Sequence, residues 1–191
     1  MREVIAMHGW AFDHNTWQLW DKYFTAKSWV WKNCERGYGD LYPGNPQWNK
    51  KRNVEIKQRV FIGHSLGPHL VDKTILEEAT HVVLLASFGC FLPMGKTSLS
   101  FAKALETMKN NLGTSQEKQM LRIFYQKAYA PLALNSSFSA PLQKEISQKG
   151  RNKLKADLQL LINTKKPPNS FPKHAKVLIV EGTEDAILLR E

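Results

Sequence analysis

Ser65 stands between two glycines in Gly63-His64-Ser65-Leu66-Gly67, directly after the apolar run Val60-Phe61-Ile62. A serine hydroxyl at such a point is a candidate nucleophile for acyl transfer. A base can take its proton while nearby backbone N–H groups hold the negative charge that develops. The flanking residue types fit that role. A serine at a sharp strand-to-helix turn occupies a sparsely allowed backbone conformation, and side chains two residues to either side would clash there. The spacing predicts a strand through Val60–Ile62, the serine at its carboxyl end, and a helix from Pro68 to Ala79 whose first N–H groups point at the site. A tight Gly-Ser turn without chemistry is the competing reading of the same five residues.

Other elements must bring partners to this serine. Val4-Ile5-Ala6-Met7 is apolar without alternation, as in a strand of a parallel sheet buried on both faces, and it runs into His8-Gly9-Trp10. His8 reads as a hydrogen-bonding residue of the loop rather than as a base. Asp13 to Phe24, with Trp17 and Trp20 three apart, reads as an amphipathic helix laying its indoles on the sheet. Ser28–Trp31 is the next strand, and Glu35-Arg36-Gly37-Tyr38-Gly39-Asp40 follows as a turn. Asn49 to Gln58 is a polar, helical connection in which Lys50-Lys51-Arg52 is a solvated charge run. His81–Ala86 is another buried strand and Ala175–Val180 the last, ahead of Glu181-Gly182-Thr183-Glu184-Asp185.

Between these two strands the pattern turns helical. Candidates are 97–111, 115–129, 141–148 and 151–163, separated by Gly113, Pro131, Pro141 and Gly150. Leu105, Met108, Phe124, Tyr125 and Tyr129 are candidates for an apolar underside facing the serine, or for ordinary helix packing. The net charge of +10 is concentrated here: residues 96–176 carry 15 Lys/Arg against 4 Asp/Glu. That segment is either a solvated surface or a face for an acidic partner, with Arg151/Lys153/Lys155 and Lys118/Arg122 as contacts. Nucleic acid is disfavoured, since no helix-turn-helix, RNA-binding or zinc-finger signature accompanies the charge. The chain opens without a signal-like segment, has no apolar run of about 20 residues, and carries two cysteines, Cys34 and Cys90, without metal spacing. Together these features predict a soluble, cytoplasmic protein that does not engage a membrane.

Strand, glycine-flanked serine and helix, with His-Gly after the first strand and a Gly-x-x-Asp turn after the last, resemble the serine esterases of the α/β-hydrolase superfamily. Within it the chain is similar to the pimeloyl-[acyl-carrier protein] methyl ester esterases of biotin synthesis. The resemblance implies a doubly wound, mostly parallel sheet of about five strands in the order 4-3-5-6-7 of that family's numbering. Residues 1–93 and 165–191 would form the core, and 94–164 an inserted helical lid. It implies Ser65 as nucleophile in an elbow shaped by Gly63 and Gly67, the N–H groups of Trp10 and Leu66 as oxyanion donors, and Asp185 as the acid, with Glu184 a distant second match. Phe124, Tyr125 and Tyr129 would face substrate from the lid. No cofactor or metal is implied. The substrate would be a carboxylic ester, a small one or the methyl ester of a pimeloyl-acyl carrier protein docked on the basic lid. In this family the triad histidine follows the acid after one more strand, whereas none of His8, His14, His64, His69, His81 and His174 follows Asp185, which lies six residues before Glu191. The resemblance therefore implies that the last strand, the last helix and the histidine are missing and that these 191 residues are nearly inactive. The alternative is a catalytically inactive module that binds an acidic partner.

Overall fold

The computed structural model describes residues 1–50, 55–92, 95, 97–132 and 146–188. Five strands, β1 (Arg2–Met7), β2 (Val30–Asn33), β3 (Gln58–His64), β4 (His81–Leu85) and β5 (Lys176–Val180), form one sheet in the order β2-β1-β3-β4-β5. Every pairing is parallel: Val4 lies opposite Trp31 on one side and Val60 on the other, and Val83 lies between Ile62 and Leu178. This is the order 4-3-5-6-7 expected from the sequence.

The continuous apolar character of β1 and β3 follows from burial on both faces. Val4, Ala6, Val60 and Ile62 pack with Trp17, Phe24 and Trp31 on one face, beneath α1 (Gln18–Ala26). Ile5, Met7 and Phe61 point the other way, onto Ile75 and Leu76 of the short α2 (Lys73–Glu77) and onto Trp48. A third cluster joins α3 (Thr97–Asn111), α4 (Glu117–Ala128) and α5 (Gln148–Asn163) to Trp10, Phe12, Tyr38 and Leu66 at the carboxyl ends of the strands. No helix among the described residues is long and apolar enough to cross a membrane.

Several local expectations need correction. The stretch after Ser65 is not one helix. Gly67–His69 is a single 3-10 turn with Pro68 at its start, and α2 begins only at Lys73, so the expected helix N-terminus aimed at the serine is absent. The helix expected over Asp13–Phe24 divides into a 3-10 turn, His14–Trp17, capped by the Asp13 carboxylate, and α1. Trp17 is buried on the sheet, while Trp20 is partly exposed. Asn49, Lys50 and residues 55–57 are not helical, and the middle of that connection, with Lys51 and Arg52, lies outside the described residues. The helix expected over 141–148 also lies outside them for the most part; Ser147 caps α5 instead. Gly150 does not separate helices but sits in the first turn of α5. A Cβ there would stand 2.0 Å from the Tyr38 carbonyl oxygen, so only glycine lets the helix approach the β2 loop this closely.

Candidate active site

Ser65 ends β3 with φ +51°, in the left-handed region that costs a non-glycine residue about 1–3 kcal/mol. Its neighbours hold it there. Its N–H donates to the Leu85 carbonyl at 2.9 Å, and the Ser87 hydroxyl donates to the Ser65 carbonyl at 2.6 Å. The two elbow glycines serve different contacts. A Cβ at Gly67 would lie 2.6 Å from the Met7 carbonyl oxygen, so Gly67 lets the turn press on the end of β1. One at Gly63 would meet the Pro68 ring at 2.7 Å.

The β1 loop closes over the serine from the other side. Gly9 passes so near that a Cβ on it would be 3.0 Å from Ser65 Cβ and 3.2 Å from His64 Nδ1. Trp10 and Leu66 are both buried, and among the described residues neither of their N–H groups has an acceptor. A buried backbone donor without a partner is rare and has to be accounted for. Leu66 follows Ser65 directly, and Trp10 follows Gly9, which packs against Ser65.

Behind this loop, a carboxylate ties two strand ends together. Glu35 accepts from the Gly37 N–H at 2.7 Å, the His14 N–H at 3.0 Å and His14 Nδ1 at 2.9 Å, and lies 3.4 Å from His8 Nε2. Burial, the largest influence, pushes its carboxyl up. The His8 ring and the Gly37 and His14 N–H groups together outweigh burial and bring it down to about 2. His8 is fully buried. Its Nδ1 donates to the Gly9 carbonyl at 2.9 Å, and its Nε2 accepts from the Arg36 N–H at 3.2 Å. It is a strut of the loop, as its position suggested.

Ser65, Trp10, Phe124 and Asp185 line one groove of about 780 Å³, with Phe12, Phe91, Phe101, Leu105, Met108 and Met120 among its apolar walls. The Asp185 carboxylate accepts from the N–H groups of Ile187 at 2.8 Å and Leu188 at 2.9 Å, which folds the turn after β5 back toward the groove. Tyr125 and Tyr129 are not part of this lining. Both pack on Phe12, and the Tyr125 hydroxyl donates to the Ala11 carbonyl.

His64 and His69 are the histidines next to the elbow. His64 Nδ1 is enclosed without a partner among the described residues, and its pKa falls to about 4, through burial first and the nearby His8 second, against an opposing pull from Asp185. His69 is turned away, with Nε2 hydrogen-bonded to the Phe88 carbonyl.

Sequence reasoning missed the ties between α5 and the core. Arg36 grips Asp157 with two prongs, Tyr38 donates to the same carboxylate at 2.7 Å, and Lys153 donates to the Arg36 carbonyl at 2.7 Å. One signal was legible. Asp157 is the only acidic residue in an otherwise basic helix and falls on its apolar stripe with Leu154, Leu158 and Leu161, where a charge needs a partner.

No family model matches the chain, and no curated protein matches it. Solved structures do. An esterase from Exiguobacterium antarcticum is 18% identical, with 98% of this chain and 76% of that one covered and a TM-score of 0.58. The bottromycin epimerase BotH, in complex with bottromycin A2, is 12% identical, with 97% and 74% covered and a TM-score of 0.52. One neighbour is an esterase and the other an epimerase, so the likeness speaks to architecture and leaves the reaction to the site. With the strand order, the elbow and these neighbours together, the chain has the α/β-hydrolase fold.

Proposed function

We propose that this protein is a serine-dependent carboxylic-ester hydrolase acting through an acyl-enzyme. The observation that carries this reading is the left-handed Ser65 at the carboxyl end of β3, set beside two buried N–H groups, of Trp10 and Leu66, that have no acceptor among the described residues. Ser65 Oγ adds to the ester carbonyl carbon while a base takes its proton. The carbonyl oxygen gathers charge between the two N–H groups, and the alcohol leaves with a proton. Water then cleaves the acyl–serine bond. The resemblance implies that the base is a histidine oriented by Asp185, which would keep the imidazole in the correct tautomer and stabilise it once charged; no histidine follows Asp185 in this sequence.

The groove favours esters with an apolar acyl part, since its walls include Phe12, Phe91, Phe101 and Phe124 and its volume of about 780 Å³ far exceeds an acetyl group. Residues 94–164 act as the lid over a core of 1–93 and 165–191. The narrower reading, a pimeloyl-acyl carrier methyl ester, is supported by the resemblance and by the basic charge of residues 96–176. In that case Lys118, Arg122 and Lys155 would meet the acidic carrier, because Arg151 is paired with Glu117 and Lys153 with the Arg36 carbonyl. A cytoplasmic location accords with two unpaired cysteines, Cys34 and Cys90.

A fluorophosphonate probe tests the central reading. Labelling of the wild-type chain that Ser65→Ala abolishes supports a serine hydrolase. Silence in the full-length, folded protein would favour the binding module.

A further inference from the structure

Both residues that follow Gly9 are held by the helical segment. The Trp10 indole Nε1 donates to the Leu154 carbonyl of α5 at 3.0 Å. Ala11, the next residue, has φ +59° and is fully buried, and its carbonyl accepts from the Tyr125 hydroxyl of α4. Ala11 is the third residue of a turn closed by the Phe12 N–H on the Gly9 carbonyl at 3.3 Å. A positive φ at that place is ordinary for glycine and costly for alanine. Something outside the turn must therefore hold it.

Tyr125 fits that requirement. It is 2% exposed, its ring packs edge-to-face on Phe12 with centroids 5.6 Å apart, and it is not among the residues lining the groove. The Ala11–Phe12 peptide is thus gripped at both ends, its oxygen by Tyr125 and its N–H by Gly9. Fixing that peptide fixes the turn, and the turn sets where the Trp10 N–H points.

We infer that Tyr125 is a positioning residue for the oxyanion donor. Its hydroxyl holds Ala11 left-handed and so aims the Trp10 N–H at the acyl oxygen, which makes α4 part of the stabilising machinery as well as a wall of the groove. This inference rests on the esterase reading. An oxyanion donor acts only within a narrow geometry, and deleting one costs a factor of about 10²–10³ in rate. A donor misaimed rather than removed should cost about tenfold.

The test uses the full-length, folded protein with Tyr125→Phe, which keeps the ring and removes only the hydroxyl. Two readouts are taken: the fluorophosphonate inactivation kinetics at Ser65, and the NMR shifts and hydrogen exchange of residues 9–12. The expected result is an inactivation rate constant about tenfold lower with half-saturation unchanged. It should come with a shifted Ala11 carbonyl carbon and faster exchange at Trp10 and Phe12, while the amides of β3 stay as in wild type. Adding Ala11→Gly, which accepts a positive φ without strain, should restore at least half of the lost rate. Unmoved loop resonances in Tyr125→Phe, an unchanged inactivation rate, or failure of the glycine rescue would each overturn the positioning role alone. A full-length, folded wild-type protein that the probe does not label would overturn the esterase reading, and the positioning role with it.

Discussion

The Arg36 guanidinium meets the Asp157 carboxylate in parallel, Nε to Oδ2 at 2.7 Å and Nη2 to Oδ1 at 2.6 Å. This is the two-pronged geometry in which arginine–carboxylate pairs are strongest. It joins the loop after β2 to α5 across 121 residues of sequence, with the Tyr38 hydroxyl completing the carboxylate's shell. Asp157 is 2% exposed, so the pair is worth most as a fastener whose halves cannot be separated cheaply. Asp157→Ala should destabilise the protein by about 3 kcal/mol, the lower end of the range for breaking a buried pair, because Arg36 keeps partial contact with water. Urea denaturation of the two proteins checks this.

Glu35 should make stability sensitive to acid. Its carboxyl lies near 2 in the folded protein against an ordinary 4.5, so the unfolded chain takes up a proton first as pH falls. Stability from this group is complete above pH 4.5 and is lost progressively toward pH 2. Glu35→Gln should be less stable than wild type at neutral pH, and the gap should narrow over that window. Urea midpoints from pH 5 to 2 measure it; a gap that stays constant would contradict the assignment.

His64 acts over a higher range. Enclosure lowers its pKa from 6.5 to about 4, so the folded protein resists a proton that the unfolded chain accepts. Its contribution is present above pH 6.5 and declines as pH falls from 6.5 to 4. The NMR titration of its ring protons should show a midpoint near 4, whereas a midpoint near 6.5 would mean that the ring is solvated.

The elbow glycines should respond differently to the same added methyl. Gly67→Ala meets backbone, the Met7 carbonyl oxygen at 2.6 Å, and should cost about 3 kcal/mol or prevent folding. Gly63→Ala meets the Pro68 ring at 2.7 Å, with the Phe61 ring close behind at 2.8 Å. Pro68→Ala should therefore restore part of the stability lost in Gly63→Ala and none of that lost in Gly67→Ala. Thermal melts of the four variants decide it.

Strand β5 pairs with β4 on one side, and its Val177, Leu178, Ile179 and Val180 side chains are 45–59% exposed. A long apolar edge of this kind templates further pairing. Purified 191-residue protein should associate increasingly with concentration, and Ile179→Lys should reduce the effect. Light scattering across a dilution series measures both.

Much of the architecture was legible because it depends on local pattern. Apolar runs without alternation located β1, β3 and β4, since a strand buried on both faces has no polar side to show. The limits of α3 fell where its periodicity placed them. The elbow could be read because its five-residue pattern follows directly on an apolar run, although the contact that demands Gly67 comes from Met7 of β1. Elements that depend on their neighbours were read less well. The turn after Ser65 ends at His69, well before α2 begins, and position 150 must be glycine because of a carbonyl more than one hundred residues away.

By itself, the sequence determined the glycine-flanked turn at Ser65 and the strands around it, because each is set by local residue pattern and periodicity. Only the tertiary structure decided how the site is held together. It took Tyr125 out of the groove and put its hydroxyl on Ala11, fastened Arg36 to Asp157, and buried Glu35 between two loops. Those contacts join residues from separate elements, and hydrogen bonds and ion pairs of that kind are set by how helices dock on a sheet. No spacing along the chain encodes them.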